Sequence, residues 1–117
     1  MIRIEDGEIS TLADLWAYER DNNVDGTGNL ESHPFGLTFG ADGRLYVADA
    51  SANNLMAIDV ETGEIENVAV FEGLPGIFPN PFRGDELVRD PVPTAVAFDA
   101  DGNAYVSLLT GAPFIPG

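Results

Sequence analysis

The sequence contains no cysteine and no lysine, and its only basic residues besides one histidine are five arginines. Without cysteine the chain has no disulfide, no thiolate metal site and no thiol nucleophile. Its 20 Asp and Glu residues give a formal net charge of -15. A charge of this sign repels phosphate backbones and anionic lipid, which argues against nucleic acid and membrane surfaces as partners and favours neutral or cationic ones.

Long hydrophobic runs are also missing. No window reaches the roughly 18 apolar residues of a membrane-spanning helix, and residues 1–6 lack the basic-then-apolar order of a signal peptide. The apolar residues that are present make up 44% of 117 residues, which is enough to fill one small core. We therefore expect a single small domain.

The sequence repeats itself. Residues 34–47 align without gaps on residues 93–106 at an offset of 59, with seven of fourteen positions identical. Residues 2–13 align on residues 58–69 at an offset of 56, with six of twelve identical. Two matches at nearly one period indicate a repeated structural unit.

Each repeat predicts short strands joined by turns. The Asp-Gly pairs at 42–43 and 101–102 are flanked by alternating apolar residues and predict hairpins with type I′ turns. Further turns at 53–54 and 61–63 complete a meander of strands 36–39, 44–49, 55–59 and 64–70. Four antiparallel strands per repeat predict an all-β fold, a β-propeller fragment built of four-stranded blades.

The order of the repeats predicts half a blade, one blade and half a blade. The expected segments are outer strands at 1–13, a connection with a short helix at 14–33, a complete blade at 34–70, an aperiodic Pro/Gly-rich connection at 71–92, and inner strands with the start of a connection at 93–117. Leu12, Leu15 and Trp16 are expected to face the blades. A ring needs about 4–8 blades, so either further blades belong to a longer chain or copies of this chain join head to tail.

The string ADASANNL at 48–55 resembles the NHL-type six-bladed propellers. The chain resembles more closely the ScyD/ScyE-type propellers, named after the scytonemin biosynthesis cluster, in DLWAYE at 14–19 with Asn22-Asn23, SHPFGL at 32–37, VAVF at 68–71, VPTAV at 92–96 and LTGAPF at 109–114. The resemblance implies a six-bladed, extracytoplasmic protein, secreted or periplasmic, of which about two blades are present. It implies no specific reaction.

Several polar side chains fall on connections that a propeller places at one mouth of its channel. These candidates are Glu31, His33, Asp49, Asn53, Asn54 and Asp90. Converging carboxylates and amides can hold a divalent cation or a polar ligand, although an acidic surface also gathers them by chance and a lone histidine often only packs or caps a loop. The second connection adds a possible lid for an aromatic or anionic ligand, or a loop that merely packs on the blade tops: Phe71, Phe78, Phe82, Arg83 and Arg89.

A possible Ca²⁺ loop follows the predicted helix. Asp21, Asn23 and Asp25, before Gly26, match the opening of a D-x-N-x-D-G calcium loop, whose spaced oxygens suit a hard cation. Ser32 stands where the closing bidentate Glu belongs, and Glu31 lies one residue early. An ordinary Asn/Asp/Gly-rich loop is the alternative.

The sequence is compatible with two functions. No serine lies in a G-x-S-x-G elbow, so a nucleophile with its base is not indicated. We expect a non-catalytic scaffold that binds a small molecule or a protein at its loop face. The alternative is a metal-assisted, lactonase-like hydrolase or lyase that acts at the channel mouth through Glu31, Asp49 and Asp90.

Overall fold

A computed structural model describes residues 1–113, so the last four residues of the predicted segment 93–117 lie outside it. The strands are β1 (Ile2–Glu5), β2 (Glu8–Thr11), β3 (Pro34–Phe39), β4 (Leu45–Asp49), β5 (Asn54–Ile58), β6 (Ile65–Val70), β7 (Leu74–Asn80), β8 (Glu86–Arg89), β9 (Pro93–Phe98) and β10 (Ala104–Leu108). One helix, α1 (Leu15–Asn22), lies between β2 and β3. In this part of the chain no helix is long and apolar enough to cross a membrane.

The predicted complete blade is present. Strands β3, β4, β5 and β6 form a four-stranded antiparallel meander, and each lies within two residues of its predicted bounds. The predicted outer pair, β1–β2, and the predicted inner pair, β9–β10, each form a separate two-stranded hairpin. We refer to β3–β6 as the complete blade and to the two hairpins as the half blades.

The half blades cover opposite faces of the complete blade. Alternate residues of β4 and β5 point to one face, where they form a core with α1 and the end of the β1–β2 hairpin. That core comprises Ala13, Leu15, Leu45, Val47, Met56 and Ile58. On the other face the Tyr46 ring packs edge-to-face on Phe98 of β9, with ring centroids 4.7 Å apart. The architecture is therefore a β-propeller segment of half, complete and half blade.

Close contacts with the complete blade hold each half blade in place. A Cβ at Gly36 in β3 would lie 2.9 Å from Ala95 Cα and would overlap the Thr94 carbonyl oxygen, so β9 approaches β3 closely only because residue 36 is glycine. On the opposite side Arg3 donates a hydrogen bond to the Val60 carbonyl. Glycine at 36 thus lets two blades stack.

Residues 71–92 are more regular than their sequence suggests. They contain an antiparallel hairpin in which Leu74 pairs with Arg89 and Pro75 with Val88. The expectation of an aperiodic connection was therefore wrong. The pairing is interrupted before Asn80, and prolines, which lack the N–H for a ladder, hide the strand alternation in the sequence.

The predicted type I′ turns were also wrong at both Asp-Gly pairs. Only the glycines take positive φ, 80° at Gly43 and 84° at Gly102. In each turn the glycine N–H donates a hydrogen bond to the carbonyl of the residue three positions earlier, as Gly43 does to Gly40. This is a type I turn followed by a left-handed glycine.

In the Asp6-Gly7 turn both residues have positive φ, at 50° and 81°. It shortens the β1–β2 hairpin, so that Ile4 pairs with Ile9, whereas in the complete blade Ile58 pairs with Ile65. Ile4, rather than Ile2, is therefore the structural counterpart of Ile58. Between the two repeats, the residues of β2 are therefore offset by 56 positions and those of β1 by 54.

Helix α1 begins where the sequence indicates. The Asp14 carboxylate accepts from the Ala17 N–H at 3.0 Å, which caps the first turn, and Asn23 ends the helix in the left-handed region. Leu15 is buried as expected, but Trp16 is 51% exposed. The Arg20 guanidinium lies over its ring at 5.1 Å, which gives the ring a partner outside the core.

Candidate functional site

One end of the complete blade gathers the loops that carry the predicted site residues. We call this end the mouth. It is formed by the β4–β5 turn, the α1–β3 connection and the β7–β8 hairpin. Asp49, the last residue of β4, is fully buried there. Its carboxylate accepts from the backbone N–H groups of His33, Ser51 and Ala52 at 2.8–3.1 Å and from the Ser32 hydroxyl.

Asn53 joins three segments at the mouth. It takes a left-handed conformation with φ 55°, which turns its buried side chain inward. Its amide nitrogen donates to the Asp25 carboxylate at 2.9 Å, and its amide oxygen accepts from the Val92 N–H at 3.2 Å. The blade, the helix connection and the second connection are therefore linked through one side chain.

Arg83 holds the β7–β8 hairpin against this group. Its Nε lies 2.7 Å from an Asp90 carboxylate oxygen, and its Nη2 lies 4.0 Å from Asp25. The buried Asn80 donates to the same Asp90 carboxylate at 3.4 Å. Arg83 was predicted as part of a ligand lid, but here its side chain is 13% exposed and its guanidinium faces carboxylates of the protein itself.

The mouth also contains a buried carboxyl that the sequence did not single out. Glu19 of α1 is 2% exposed, and its Oε1 has no hydrogen-bond partner. Its pKa is raised to about 7, mainly because the carboxyl is buried. The hydrogen bond from the Val24 N–H lowers the pKa, and the charges of Asp25 and Asp49 raise it. The available signal was its spacing of four residues from the buried Leu15, which places both side chains on one helix face.

A second unpredicted feature is a contact between His33 and Ser51. Their side chains lie 2.7 Å apart, between Nδ1 and Oγ, at an exposed position beside Asp49. The Asp49 carboxylate binds the His33 backbone N–H instead of the imidazole ring. The pair therefore has a nucleophile and a base in contact, without the acid that would orient the ring.

Two of the predicted mouth residues do not join this network. Asn54 is buried and donates across the sheet to Asn67 of β6 at 2.9 Å. Glu31 is exposed, and its backbone N–H donates to Asn29. Of the predicted mouth residues, the structure brings together His33, Asp49, Asn53 and Asp90, and links them to Arg83 and Asp25.

The predicted calcium ligands point in different directions. Asp21 pairs with Arg20 at 2.8 Å on the exposed side of the helix. Asn23 accepts from the Gly28 N–H at 3.4 Å, and Asp25 accepts from Thr27 while its second oxygen faces Asn53. Within residues 1–113 no group of three His, Cys, Asp or Glu side chains is arranged to hold a metal ion. The geometry is that of a hydrogen-bonded Asn/Asp/Gly loop.

No protein-family model and no curated protein matches the chain. A solved structure, virginiamycin B lyase from Staphylococcus aureus, is similar over 74% of this chain, with 17% identity and a TM-score of 0.44. The matched part is 22% of the lyase chain, so this chain spans about a fifth of that protein's length.

Proposed function

We propose that this chain is part of a non-catalytic binding scaffold of the ScyD/ScyE type, and that its ligand binds at the mouth. The observation that carries the proposal is the bonding of Asp49, Asn53 and Asp90 to other parts of the protein. Side chains fixed in this way form a rigid rim. A preorganised rim lowers the ordering cost of binding.

The charge of the chain favours a neutral or cationic ligand. Arg83, which lies at the mouth, is already paired with Asp90. The Glu31 side chain is exposed beside the network, so its carboxylate is accessible to a partner. A cationic peptide is therefore a suitable probe.

The test is a titration of the ¹⁵N-labelled chain with tetralysine, followed by NMR. We expect shifts at residues 31–33 and 51–53, and a weaker affinity in Glu31→Gln. Glu8→Gln, a substitution of an exposed carboxylate on the β1–β2 hairpin, is the matched control and should leave the affinity unchanged. Shifts confined to the acidic turn at residues 5–8 would instead indicate charge attraction without a site and would refute the proposal.

A hydrolase or lyase at the mouth is the second candidate, and the 2.7 Å contact between Ser51 and His33 is the observation in its favour. A metal-assisted mechanism through Glu31, Asp49 and Asp90 has less support, because Asp49 accepts four hydrogen bonds and Asp90 pairs with Arg83. Hydrolysis of p-nitrophenyl acetate and dihydrocoumarin, with and without Ca²⁺ or Zn²⁺, separates the two functions. Turnover that disappears in Ser51→Ala or His33→Ala would favour the enzyme.

The resemblance to ScyD/ScyE-type propellers also supports a place outside the cytoplasm. Fractionation of cells that produce the natural gene product would test this. Recovery in the secreted or periplasmic fraction is expected, and recovery only in the cytoplasm would contradict it.

A further inference from the structure

The two half blades leave complementary strand edges free. Within residues 1–113, β10 pairs only with β9, and β1 pairs only with β2. In the complete blade the counterparts of β10 and β1, which are β4 and β5, pair with each other. We propose that a second copy of the chain docks head to tail, with β10 of one copy against β1 of the next, so that two half blades form one four-stranded blade.

The complete blade predicts the register of this contact. Val47 pairs with Met56, and Leu45 with Ile58. The offset of 59 makes Val106 and Ala104 the counterparts of Val47 and Leu45. With Ile4 as the counterpart of Ile58, Ile2 is that of Met56. Val106 of one copy therefore lies opposite Ile2 of the next, and Ala104 lies opposite Ile4.

The free edges carry apolar side chains whose counterparts are buried. Ile2 and Ile4 are 61% and 67% exposed, whereas Met56 and Ile58 are at most 1% exposed. Pairing with a second copy would remove this apolar surface from water, which is the main driving force of association.

An aromatic contact inside the chain predicts a second one between copies. Tyr46 packs on Phe98 across the interface of the complete blade with the following half blade. The same offset of 59 maps Tyr46 to Tyr105 and Phe98 to Phe39. Tyr105 and Phe39 are 62% and 63% exposed. A second copy placed by the β10–β1 pairing brings its Tyr105 to Phe39 of the first, so both side chains gain the partner that the repeat provides elsewhere.

We commit to a second copy as the occupant because β9–β10 matches the sequence of β3–β4, the inner strands that pair with β5–β6 in the complete blade. The contact is heterologous, so successive copies close into a ring when the rotation per copy fits. Each copy supplies two blade equivalents, and rings of about 4–8 blades correspond to two to four copies.

Charge opposes this association and makes it depend on salt. Each copy carries a net charge of -15, and the turn with Asp99 and Asp101 of one copy would lie near the acidic β1–β2 turn of the next. Screening at high ionic strength weakens this repulsion. We therefore expect association to strengthen from 50 mM to 1 M NaCl.

The absence of cysteine allows a direct test. Chains with Ile2→Cys and chains with Val106→Cys are mixed at about 100 µM under mild oxidation, and the disulfide-linked dimer is quantified by mass spectrometry. Directly opposed strand residues lie within the Cα spacing that a disulfide requires. In the matched control, Ile9→Cys replaces Ile2→Cys and places the sulfur one strand further away. The first mixture should cross-link at least tenfold more than the control.

A second measurement covers the case in which a cysteine variant fails to fold. Light scattering of the unmodified chain should give a mass of two to four times 12.5 kDa in 1 M NaCl, and Tyr105→Ala should weaken association at least tenfold. A monomer at both salt concentrations, or equal cross-linking by the Ile9→Cys control, would overturn the proposal.

Discussion

The complete blade and the half blades share sequence but differ in burial. Ile58 is fully buried in the complete blade, whereas its counterpart Ile4 is 67% exposed. Tyr46 packs on Phe98, whereas its counterpart Tyr105 is 62% exposed. The repeat encodes strands in both regions, although the β1–β2 turn is two residues shorter than the β5–β6 turn. Burial comes from having a neighbour on each face, and within residues 1–113 only the complete blade has one on both.

The largest effect expected from this comparison is at the isoleucine pair. Ile58→Ala should destabilise the chain by about 2–5 kcal/mol, because it leaves a cavity in the core. Ile4→Ala should change the stability of the monomer by no more than about 0.5 kcal/mol, because that side chain is exposed. Urea denaturation in low salt measures both. Equal losses would mean that the half blade contributes to a core as the complete blade does.

The pH dependence of stability tests whether Glu19 of α1 is buried near the mouth, as in the structure. Its pKa is about 7 in the folded chain, above the ordinary value of 4.5, so the folded state holds a proton that the unfolded state releases. Stability should therefore fall as pH rises from about 4.5 to about 7, by at most about 3 kcal/mol.

The control for this pH dependence is the exposed Glu8. Glu19→Gln should flatten the profile between pH 4.5 and 7, and Glu8→Gln should leave it unchanged. Thermal melts across this range provide the measurement. A profile that Glu19→Gln does not alter would show that repulsion over the whole acidic surface, and not this buried carboxyl, sets the pH dependence.

Gly36 tests the stacking of the following half blade. Gly36→Ala should cost about 1–3 kcal/mol, because the added Cβ overlaps the backbone of β9. Ala95 is its repeat counterpart and is exposed, so an alanine is tolerated there. Ala95→Gly should therefore cost only the roughly 0.5–1 kcal/mol of glycine in a strand. If Gly36→Ala leaves the free energy of unfolding unchanged, the close approach of β3 and β9 is not maintained in solution.

The smallest effect is expected at the start of α1, the helix that packs on one face of the complete blade. Asp14→Ala should cost about 1 kcal/mol, because the Ala17 N–H loses its acceptor. Asp14→Asn keeps an acceptor oxygen and should recover most of the loss. Urea denaturation measures both variants, and equal losses would assign the effect to charge instead of capping.

Much of this fold could be predicted from local patterns. The alternation around residues 34–70 and the Asp14 cap each depend on neighbouring residues, and the structure confirms both. The β7–β8 hairpin could not be predicted because prolines interrupt its alternation. The prediction that Trp16 faces the blades was wrong, because Arg20, one helical turn away, gives its ring a partner outside the core.

The candidate site was predictable in its location but not in its bonding. Loop order alone indicates that Asp49, Asn53 and Asp90 share one end of the blade. Whether their side chains are free or bonded to the protein depends on tertiary contacts, such as that between Arg83 and Asp90. The contact of His33 with Ser51 likewise joins residues 18 positions apart, and no spacing rule signals it.

Residue-resolved amide hydrogen exchange of the monomer in low salt tests the central claim most directly, namely that the complete blade is shielded on both faces while the half blades are open. We expect the slowest exchange in β4 and β5, near the rate of global unfolding, and exchange at least tenfold faster in β1 and β10. Equal protection of β1, β4, β5 and β10 in the monomer would contradict the account.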